Sequence, residues 1–194
     1  MRIRDNILYV QTREGCPEGG TERRPDMKLY ANQKILSLTT VFDIVDERND
    51  PRYSVRGEFL TIGRRLHVTD RNGREVAFLR QRPFRLLPTF EIYIGDRLVA
   101  RIIKRFTFFR PSYVIMDCNW TVNGDFLAHD YSMYDGTGSE VASIHKRWLT
   151  FGDYFELDVP DRRNEILAVC LMLAIDCVMD QQAAASSNAA NSPG

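Results

Sequence analysis

The chain has 194 residues, of which 44% are hydrophobic and 27% are charged, and this composition is ordinary for a soluble globular protein. The length predicts one domain, or two small ones, with a sizeable buried core. Lys and Arg together number 26, as do Asp and Glu, so the whole chain has no net field that would draw it onto nucleic acid or a membrane. Nucleic-acid binding is therefore not expected, and a membrane role requires a local basic patch.

The first residues do not have the pattern of a secretory signal. Their apolar stretch, residues 7–10, is far shorter than a signal peptide requires, and residues 1–26 are predicted to be a poorly ordered extension. Cys170 and Cys177 lie too far apart along a helix for a disulfide, and Cys118 is interpreted with them as a small buried hydrophobe. We therefore predict a reducing compartment and a cytoplasmic protein.

Alternating apolar patterns continue from residue 27 to residue 159. Three segments end alike, with small and aliphatic residues at every second position before basic and aromatic ones: EVAFLRQRPF (75–84), LVARIIKRFTFF (98–109) and EVASIHKRWLTF (140–151). Such period-two spacing is typical of a strand, and turn residues precede each segment. Asn72-Gly73, in the first of these turns, predicts a type I′ hairpin. We expect about a dozen short strands.

Two halves of this strand region resemble each other in sequence. The segment VRGEFLTIGRRLHVTDRNGREVAFL, from Val55, aligns with VNGDFLAHDYSMYDGTGSEVASI, from Val122. In the same order, FDIVD (42–46) aligns with YVIMD (113–117), and the offset drifts slowly, as small loop deletions would produce. Two units are too few for a solenoid, so a closed arrangement of two halves is the better interpretation.

The segment NEILAVCLMLAIDCVMD (164–180) predicts a buried helix. Asp161 is a suitable N-cap for a helix of about 18 residues over 162–180. The unbroken apolar run, residues 166–175, is too short for a membrane span and lacks the polar positions of a surface helix. Because a helix that is apolar all round must be surrounded by protein, we expect the strands to form a barrel around it.

These features resemble the LURP-one-related family of the tubby C-terminal-like superfamily, which also includes the phospholipid scramblases. The resemblance covers residues 27–180 and rests on an ordered series: MKLYANQKILSL, the segment 42–81, LLPTFEIYI, IIKRFTFFRPSY, WTVNGDF, EVASIHKRW and LAIDCVMD. It implies a single mainly β domain with one helix (α+β), a closed 12-stranded antiparallel β-barrel of two six-stranded halves around a buried C-terminal hydrophobic helix. The polar, low-complexity residues 181–194 lie outside it and are predicted to be disordered.

Asp176 interrupts the apolar character of the predicted helix. A buried carboxylate without a partner costs several kcal/mol, so Asp176 either lies in water at the barrel mouth or pairs with an inward-facing base. Strand alternation places Lys104 on the same face as Ala100 and Ile102, which should be the core face. Lys146 occupies the equivalent place in a later strand. We therefore predict that Asp176 is buried within hydrogen-bond reach of one basic residue.

Motifs for catalysis or cofactor binding are absent from the sequence. It contains no glycine-rich phosphate loop and no Gly-x-Ser-x-Gly nucleophile elbow. The three histidines, His67, His129 and His145, have neither the helical spacing nor the cysteine neighbours of a zinc site. We therefore predict a non-enzymatic protein without a metal or another cofactor.

Three basic-aromatic clusters are the remaining functional candidates: KRFTFFRPSY (104–113), HKRW (145–148) and RQRPFR (80–85). Bases beside aromatics bind anionic membrane surfaces, and the same pairing binds single-stranded nucleic acid. Alternatively, the aromatics fill the barrel ends and the Lys and Arg stems cover them. The lipid-binding candidates selected from these clusters are Lys104, Arg105, Arg110, Lys146 and Arg147.

The resemblance implies a role at membranes, because relatives in the superfamily bind phosphoinositides or act on bilayers. We therefore predict a monomeric cytoplasmic protein that binds anionic phospholipid or phosphoinositide peripherally at a membrane surface. Scramblase activity is not inferred, since a helix enclosed by its barrel is not available to span a bilayer unless the barrel opens. The alternative is a protein-interaction or structural module without a lipid ligand, marked by an exposed apolar patch.

Overall fold

The computed structural model describes residues 27–32, 41–58, 61–85, 87–104, 113–125, 128–149 and 152–190. Within these residues, a run of strands precedes one long helix. The strands are β1 (Met27–Asn32), β2 (Val41–Asp46), β3 (Pro51–Gly57), β4 (Arg65–Asp70), β5 (Glu75–Gln81), β6 (Thr89–Ile94), β7 (Arg97–Lys104), β8 (Tyr113–Met116), β9 (Thr121–Asp125), β10 (Asp130–Tyr134), β11 (Glu140–Leu149) and β12 (Gly152–Val159). A 3₁₀ turn (Arg162–Asn164) leads into the helix α1 (Glu165–Ala190).

The strands form one antiparallel sheet that curls into a nearly closed barrel. Strands adjacent in the chain pair along β1 to β8 and along β9 to β12, and β1 pairs with β12 over its whole length. The sheet order therefore begins at β8 and ends at β9, which are the two free edges of the sheet. The predicted mainly β, 12-stranded antiparallel barrel with one helix is confirmed, with a seam between β8 and β9.

The matched sequence segments lie on equivalent strands of the two halves. The Val-x-Gly motifs fall on β3 and β9, and the segments 42–46 and 113–117 correspond to β2 and β8. In the first half, β2 and β3 pair from Val41↔Arg56 onward. Their counterparts in the second half, β8 and β9, do not pair and border the seam instead. The connection between β8 and β9 buries Cys118 and Trp120 completely rather than forming a tight hairpin.

Helix α1 occupies the interior of the barrel. Asp161 accepts a hydrogen bond from the backbone N–H of Arg163 at 2.9 Å, so it caps the 3₁₀ turn that leads into α1 rather than α1 itself. Every side chain from Leu167 to Val178 is buried, and the inward faces of the strands pack around them with large apolar residues such as Phe90 and Phe155. The all-round apolar helix is therefore enclosed by the strands, where burial of its surface stabilises the fold.

The helix is longer than the sequence predicts. It ends at Ala190 rather than at about residue 180, so residues 181–190, predicted as part of a disordered tail, are helical. The physical reason is the intrinsic helix propensity of the glutamines and alanines that follow residue 180, which extends a helix already nucleated inside the barrel. Residues 1–26 and 191–194 lie outside the described residues.

The cysteines also differ in part from expectation. Cys170 and Cys177 are free and buried, and burial raises the pKa of the Cys170 thiol. Cys118 is fully buried, as expected of a small hydrophobe, but it forms a disulfide bond, so grouping it with the reduced cysteines Cys170 and Cys177 is wrong. Burial alone does not distinguish a reduced cysteine from a half-cystine.

Antiparallel pairing places alternate connections at opposite ends of the barrel. The turn end contains the connections 47–50, 71–74, 95–96, 117–120 and 135–139, together with the start of α1. The loop end contains the last residues of β1, β3, β5, β7, β9 and β11, together with the described loop residues 58, 61–64, 82–85, 87–88 and 128–129. Because the buried part of α1 begins at the turn end, the helix leaves the barrel at the loop end.

Three turns at the turn end share one aspartate-capped form. Asp46, Asp70 and Asp135 each accept hydrogen bonds from the backbone N–H groups two and four residues later, at distances between 2.9 and 3.1 Å. These hydrogen bonds stabilise the carboxylate and lower the pKa of all three aspartates, and at Asp135 they outweigh the effect of burial.

The hairpin predicted at Asn72-Gly73 is confirmed, but its predicted turn type is wrong. Gly73 has φ +75°, whereas Asn72 does not take a positive φ. The backbone N–H of Gly73 instead bonds to the carbonyl of Asp70 at 2.9 Å, and the left-handed residue follows the turn. The Asp70 side chain selects this form, because its carboxylate satisfies the N–H groups of Asn72 and Arg74.

Candidate functional site

A solvent-exposed aromatic ring marks the loop end. Phe84, in the connection between β5 and β6, is 93% exposed. Its φ of +56° is a left-handed conformation that Gly or Asn adopts more readily than a bulky residue. Pro83 precedes it, and Arg82 and Arg85 flank the pair. The turn therefore holds an aromatic ring in water between two basic side chains, at a conformational cost.

A second apolar side chain lies on the neighbouring loop. Ile62, between β3 and β4, is 69% exposed. Its loop is fastened to the end of β5, since Gln81 accepts from the N–H of Arg64 at 3.0 Å and donates to the Arg64 carbonyl at 2.7 Å. Gly63 permits this approach, because it has φ +89° and a Cβ there would lie 3.0 Å from the Gln81 carbonyl oxygen.

A pocket of about 440 Å³ opens on the outer face of the barrel beside the Phe84 turn, and we call it the outer pocket. Its apolar lining residues are Leu87, Ile103 and Met116, and its basic ones are Arg82, Arg85 and Arg101. They share the outer face because Thr89 and Glu91, which alternate with buried Phe90 and Ile92, pair with Ile103 and Arg101. The pocket thus combines an apolar wall with three guanidinium groups.

Glu91 anchors the arginines at this pocket. Arg80 Nε and Arg82 Nε lie 2.7 and 2.9 Å from its two carboxylate oxygens, and the Tyr93 hydroxyl donates to it at 3.0 Å. Burial alone would raise the pKa of Glu91, whose side chain is only 3% exposed, but the Arg80 and Tyr93 hydrogen bonds hold the pKa below its usual value. Glu91 is therefore a fixed anion that positions basic groups around it.

The charges around the outer pocket do not balance. Arg80 and Arg82 share Glu91, and Arg101 pairs with Asp117 at 2.9 Å. Arg85 forms no hydrogen bond or ion pair with another described residue. The four arginines therefore face only two carboxylates, and the surplus is positive.

Lys146, one of the candidates from the sequence, lies at the same end but faces the barrel interior. It is half-buried, lies on the same face of β11 as buried Ile144, and is the strand-pairing partner of buried Phe155 on β12. Its backbone N–H donates to the carbonyl of His129 at 3.0 Å. Burial, and secondarily the charge of Lys146, lower the pKa of His129. Lys146 therefore brings a basic group toward the interior of the loop end.

The other candidates from the sequence are placed differently. Arg147 is exposed, and its guanidinium donates to both oxygens of Glu156 at 3.2 and 3.3 Å, while Lys28 contacts the same carboxylate at 3.0 Å. Part of its charge is thus neutralised. Lys104 is the last residue of β7, and Arg105 and Arg110 lie outside the described residues. The lipid-binding role of all five candidates stays a prediction.

Asp176 lies on α1 among buried apolar residues, and 7% of its surface is exposed. Its place in α1, two residues before the last fully buried position, brings it toward the loop end. The alternative of a carboxylate in open water at the barrel mouth is therefore wrong, because the strands enclose this turn of the helix. Its pairing with a basic residue stays a prediction.

Sequence reasoning noted RQRPFR but did not select Arg82, Phe84 or Arg85 as candidates. The signal available was Pro followed by Phe between two arginines, since Pro starts turns and a turn projects its next side chain. No sequence signal indicates that Arg101 and Arg85 line the same pocket, because Arg101 reaches it only through the pairing of β6 with β7. Among the described residues, no helix combines the length and apolar character needed to cross a membrane.

Comparison with known proteins places the chain in a family. The LURP-one-related family model matches residues 27–176. The uncharacterized protein YxjI of Bacillus subtilis (strain 168) is 29% identical over 153 residues, which cover 79% of this chain and 94% of that protein. The X-ray structure of an Arabidopsis thaliana protein has the same fold, with a TM-score of 0.56 at 15% identity, covering 78% of this chain and 91% of that one. Because the family model spans all twelve strands and the first part of the helix, which is well over half of the chain, the chain belongs to the LURP-one-related family.

Proposed function

We propose that this protein is a non-enzymatic binding module whose loop end docks on anionic phospholipid at a membrane surface. The observation that carries the proposal is Phe84, 93% exposed between Arg82 and Arg85 in a conformation unfavourable for Phe. A ring held in water at a conformational cost suits insertion at the headgroup level, where aromatic side chains are favoured. The neighbouring guanidinium groups then face the lipid phosphates.

The distribution of exposed apolar side chains supports the choice of end. Among the described residues, the large hydrophobic side chains that are most exposed are Val41, Ile62 and Phe84. Val41 begins β2, and the other two lie in loops 58–64 and 82–88, so all three belong to the loop end. An apolar surface rimmed by basic groups is the usual form of a peripheral membrane site.

The outer pocket offers a place for one headgroup. Its surplus positive charge is centred on Arg85, and a lipid phosphate between Arg85 and Arg101 would receive charge-assisted hydrogen bonds. Leu87, Ile103 and Met116 provide an apolar wall for the adjoining glycerol and acyl carbons. Lys104, Arg105 and Arg110 follow Ile103 in the sequence, and their contact with neighbouring headgroups is part of the same proposal.

Vesicle flotation tests the proposal directly. We expect the protein to float with phosphatidylcholine vesicles that contain phosphatidylserine, to float less at high salt, and not to float with phosphatidylcholine alone. Arg85→Glu should weaken binding to the anionic vesicles about 30-fold, since each basic group near such a surface contributes about 1 kcal/mol and the reversed charge adds a repulsion of similar size. Vesicles with phosphatidylinositol 4,5-bisphosphate at equal total charge distinguish a specific phosphoinositide site from general anionic attraction.

The matched control is Arg48→Glu. Arg48 is an exposed arginine in the 47–50 turn at the opposite end of the barrel. Its substitution by Glu changes the net charge by the same amount as Arg85→Glu. The Arg48→Glu variant should bind anionic vesicles as strongly as the unaltered protein does. Equal loss in both variants would show that net charge alone governs association, and no binding of the unaltered protein to anionic vesicles would eliminate the lipid function in favour of an interaction module.

A further inference from the structure

A second cavity lies at the turn end, remote from the proposed membrane surface. Its volume is about 580 Å³, within the range of about 300–1,000 Å³ that small-molecule sites occupy. Three aliphatic side chains line it: Val76 at the start of β5, Ile94 at the end of β6 and Ile166 in the first turn of α1. The cavity is therefore formed jointly by two strands and the central helix. We call it the turn-end cavity.

The three aliphatic side chains form an apolar surface that the fold leaves open. Each is only partly buried while packing against the core, whereas Ala77 and Leu167, the residues that follow Val76 and Ile166, are buried almost completely. Since they come from three separate elements, their convergence is not the edge of a single strand. A ligand that covered them would remove this apolar surface from water.

A bidentate ion pair holds the wall of this cavity in place. Arg52 Nε and Nη2 donate to the two oxygens of Glu165 at 2.7 and 3.1 Å, and Glu165 is the first residue of α1. The side chain of Glu165 is 3% exposed, and the Arg52 guanidinium lies over the ring of Tyr53. These groups are satisfied by each other, so they shape the cavity but are not available for a ligand.

Most of the other charged groups around the cavity form ion pairs or hydrogen bonds within the protein. Asp70 caps its own turn and pairs with Arg74 at 3.1 Å, and Glu75 contacts His67 at 2.6 Å. Arg71 makes no hydrogen bond or ion pair with another described residue, and it is exposed at the cavity. Arg71 is therefore the charged lining group that no described residue engages, although carboxylates lie nearby.

We infer that the turn-end cavity binds an amphiphile with one negatively charged head, such as an alkyl carboxylate. Its apolar carbons would cover Val76, Ile94 and Ile166, and its head would accept hydrogen bonds from Arg71, a charge-assisted contact. The site is independent of the proposed membrane surface, because the two lie at opposite ends of the barrel. Its ligand contacts the first turn of the helix that the barrel encloses.

Three probes of equal chain length test this inference: octanoate, octanol and octylammonium. Each is titrated into the full chain with methyl-labelled isoleucine, and the NMR shifts of Ile94 and Ile166 report binding. We expect octanoate to bind most tightly, octanol more weakly and octylammonium weakest. Arg71→Ala should weaken octanoate binding about tenfold and leave octanol unchanged. Ile94→Ala should weaken both octanoate and octanol, which separates the apolar contribution from the charge.

Arg48→Ala removes an exposed arginine from the adjoining turn but not from the cavity lining, and it should leave octanoate binding unchanged. Octylammonium binding as tight as octanoate, shifts absent from Ile94 and Ile166, or an unaffected Arg71→Ala variant would each overturn the inference. None of these results depends on vesicle binding, so the turn-end cavity and the proposed membrane function succeed or fail separately.

Discussion

The two ends of the barrel use charge in opposite ways. At the turn end, carboxylates cap turns or form ion pairs within the protein, as Asp135 and Glu165 do. At the loop end, Phe84 stands in water beside Arg85, which has no acidic partner among the described residues. The turn end therefore engages these carboxylates within the protein and leaves Arg71 to solvent, whereas the loop end leaves both a basic group and an aromatic ring to solvent. Binding surfaces are expected where groups remain unsatisfied.

The Arg52–Glu165 pair is the strongest test of the turn end. Arg52→Ala should lower the free energy of unfolding by about 3 kcal/mol, because it leaves the Glu165 carboxylate buried without its bidentate partner. Urea unfolding followed by circular dichroism measures the change. Vesicle binding by the folded variant should be unaltered, since the pair lies at the opposite end from the proposed membrane surface.

A double variant separates the pair from the general effect of truncating a side chain. Arg52→Met with Glu165→Met should be more stable than Arg52→Met alone, because a buried ion pair replaced by apolar residues leaves no uncompensated charge. If Arg52→Ala costs less than about 1 kcal/mol, the pair behaves as a surface ion pair and the contrast between the ends is weaker than described.

The aspartate-capped turns give the next largest effect. Asp135→Ala should lower the free energy of unfolding by about 2 kcal/mol at neutral pH, because Asp135 is 7% exposed and accepts from Thr137 and Ser139. The folded-state pKa of Asp135 is below its unfolded value, so its contribution is present above the unfolded pKa. It is lost as the pH falls through the folded pKa. The difference between variant and unaltered protein should therefore narrow below about pH 4.

Asp125→Ala provides the matched comparison at the loop end. Asp125 also accepts a backbone hydrogen bond, from Ala128 at 3.1 Å, but it is exposed. Its loss should cost less than about 1 kcal/mol. Equal losses at Asp125 and Asp135 in urea unfolding would contradict the idea that the turn end is the more strongly stabilised of the two.

The sequence predicts the features that depend on local pattern. The alternation of β5, β7 and β11 identifies strands, and the all-round apolar run of α1 requires enclosure whatever encloses it. The duplication indicates two halves but not the seam, because the burial of Trp120 between β8 and β9 depends on packing rather than on the aligned residues. The end of α1 was missed because composition indicated disorder where helix propensity prevailed.

The candidate sites are less accessible from sequence because they depend on pairing between distant strands. The basic-aromatic pattern identifies the correct type of residue, yet Arg147 is engaged by Glu156, whereas Arg85 is not engaged by any described acid. The turn-end cavity joins β5, β6 and α1, and its residues Val76 and Ile166 are far apart in the chain. No contiguous motif indicates that Arg80 and Arg82 share Glu91, or that residues of β5, β6 and α1 meet at this cavity.

Phe84 gives the smallest change in stability and the clearest difference between the ends. Phe84→Asn should leave the free energy of unfolding unchanged or raise it by up to about 1 kcal/mol, because Asn adopts the left-handed backbone more readily and the exposed ring contributes almost no burial. The same variant should bind anionic vesicles more weakly, whereas Phe84→Leu, which retains an apolar side chain, should keep most of the binding. Urea unfolding and flotation measured together check both outcomes. A substitution that stabilises the fold while weakening membrane binding identifies a residue held for function; a clear loss of stability in Phe84→Asn would instead assign the ring a structural role.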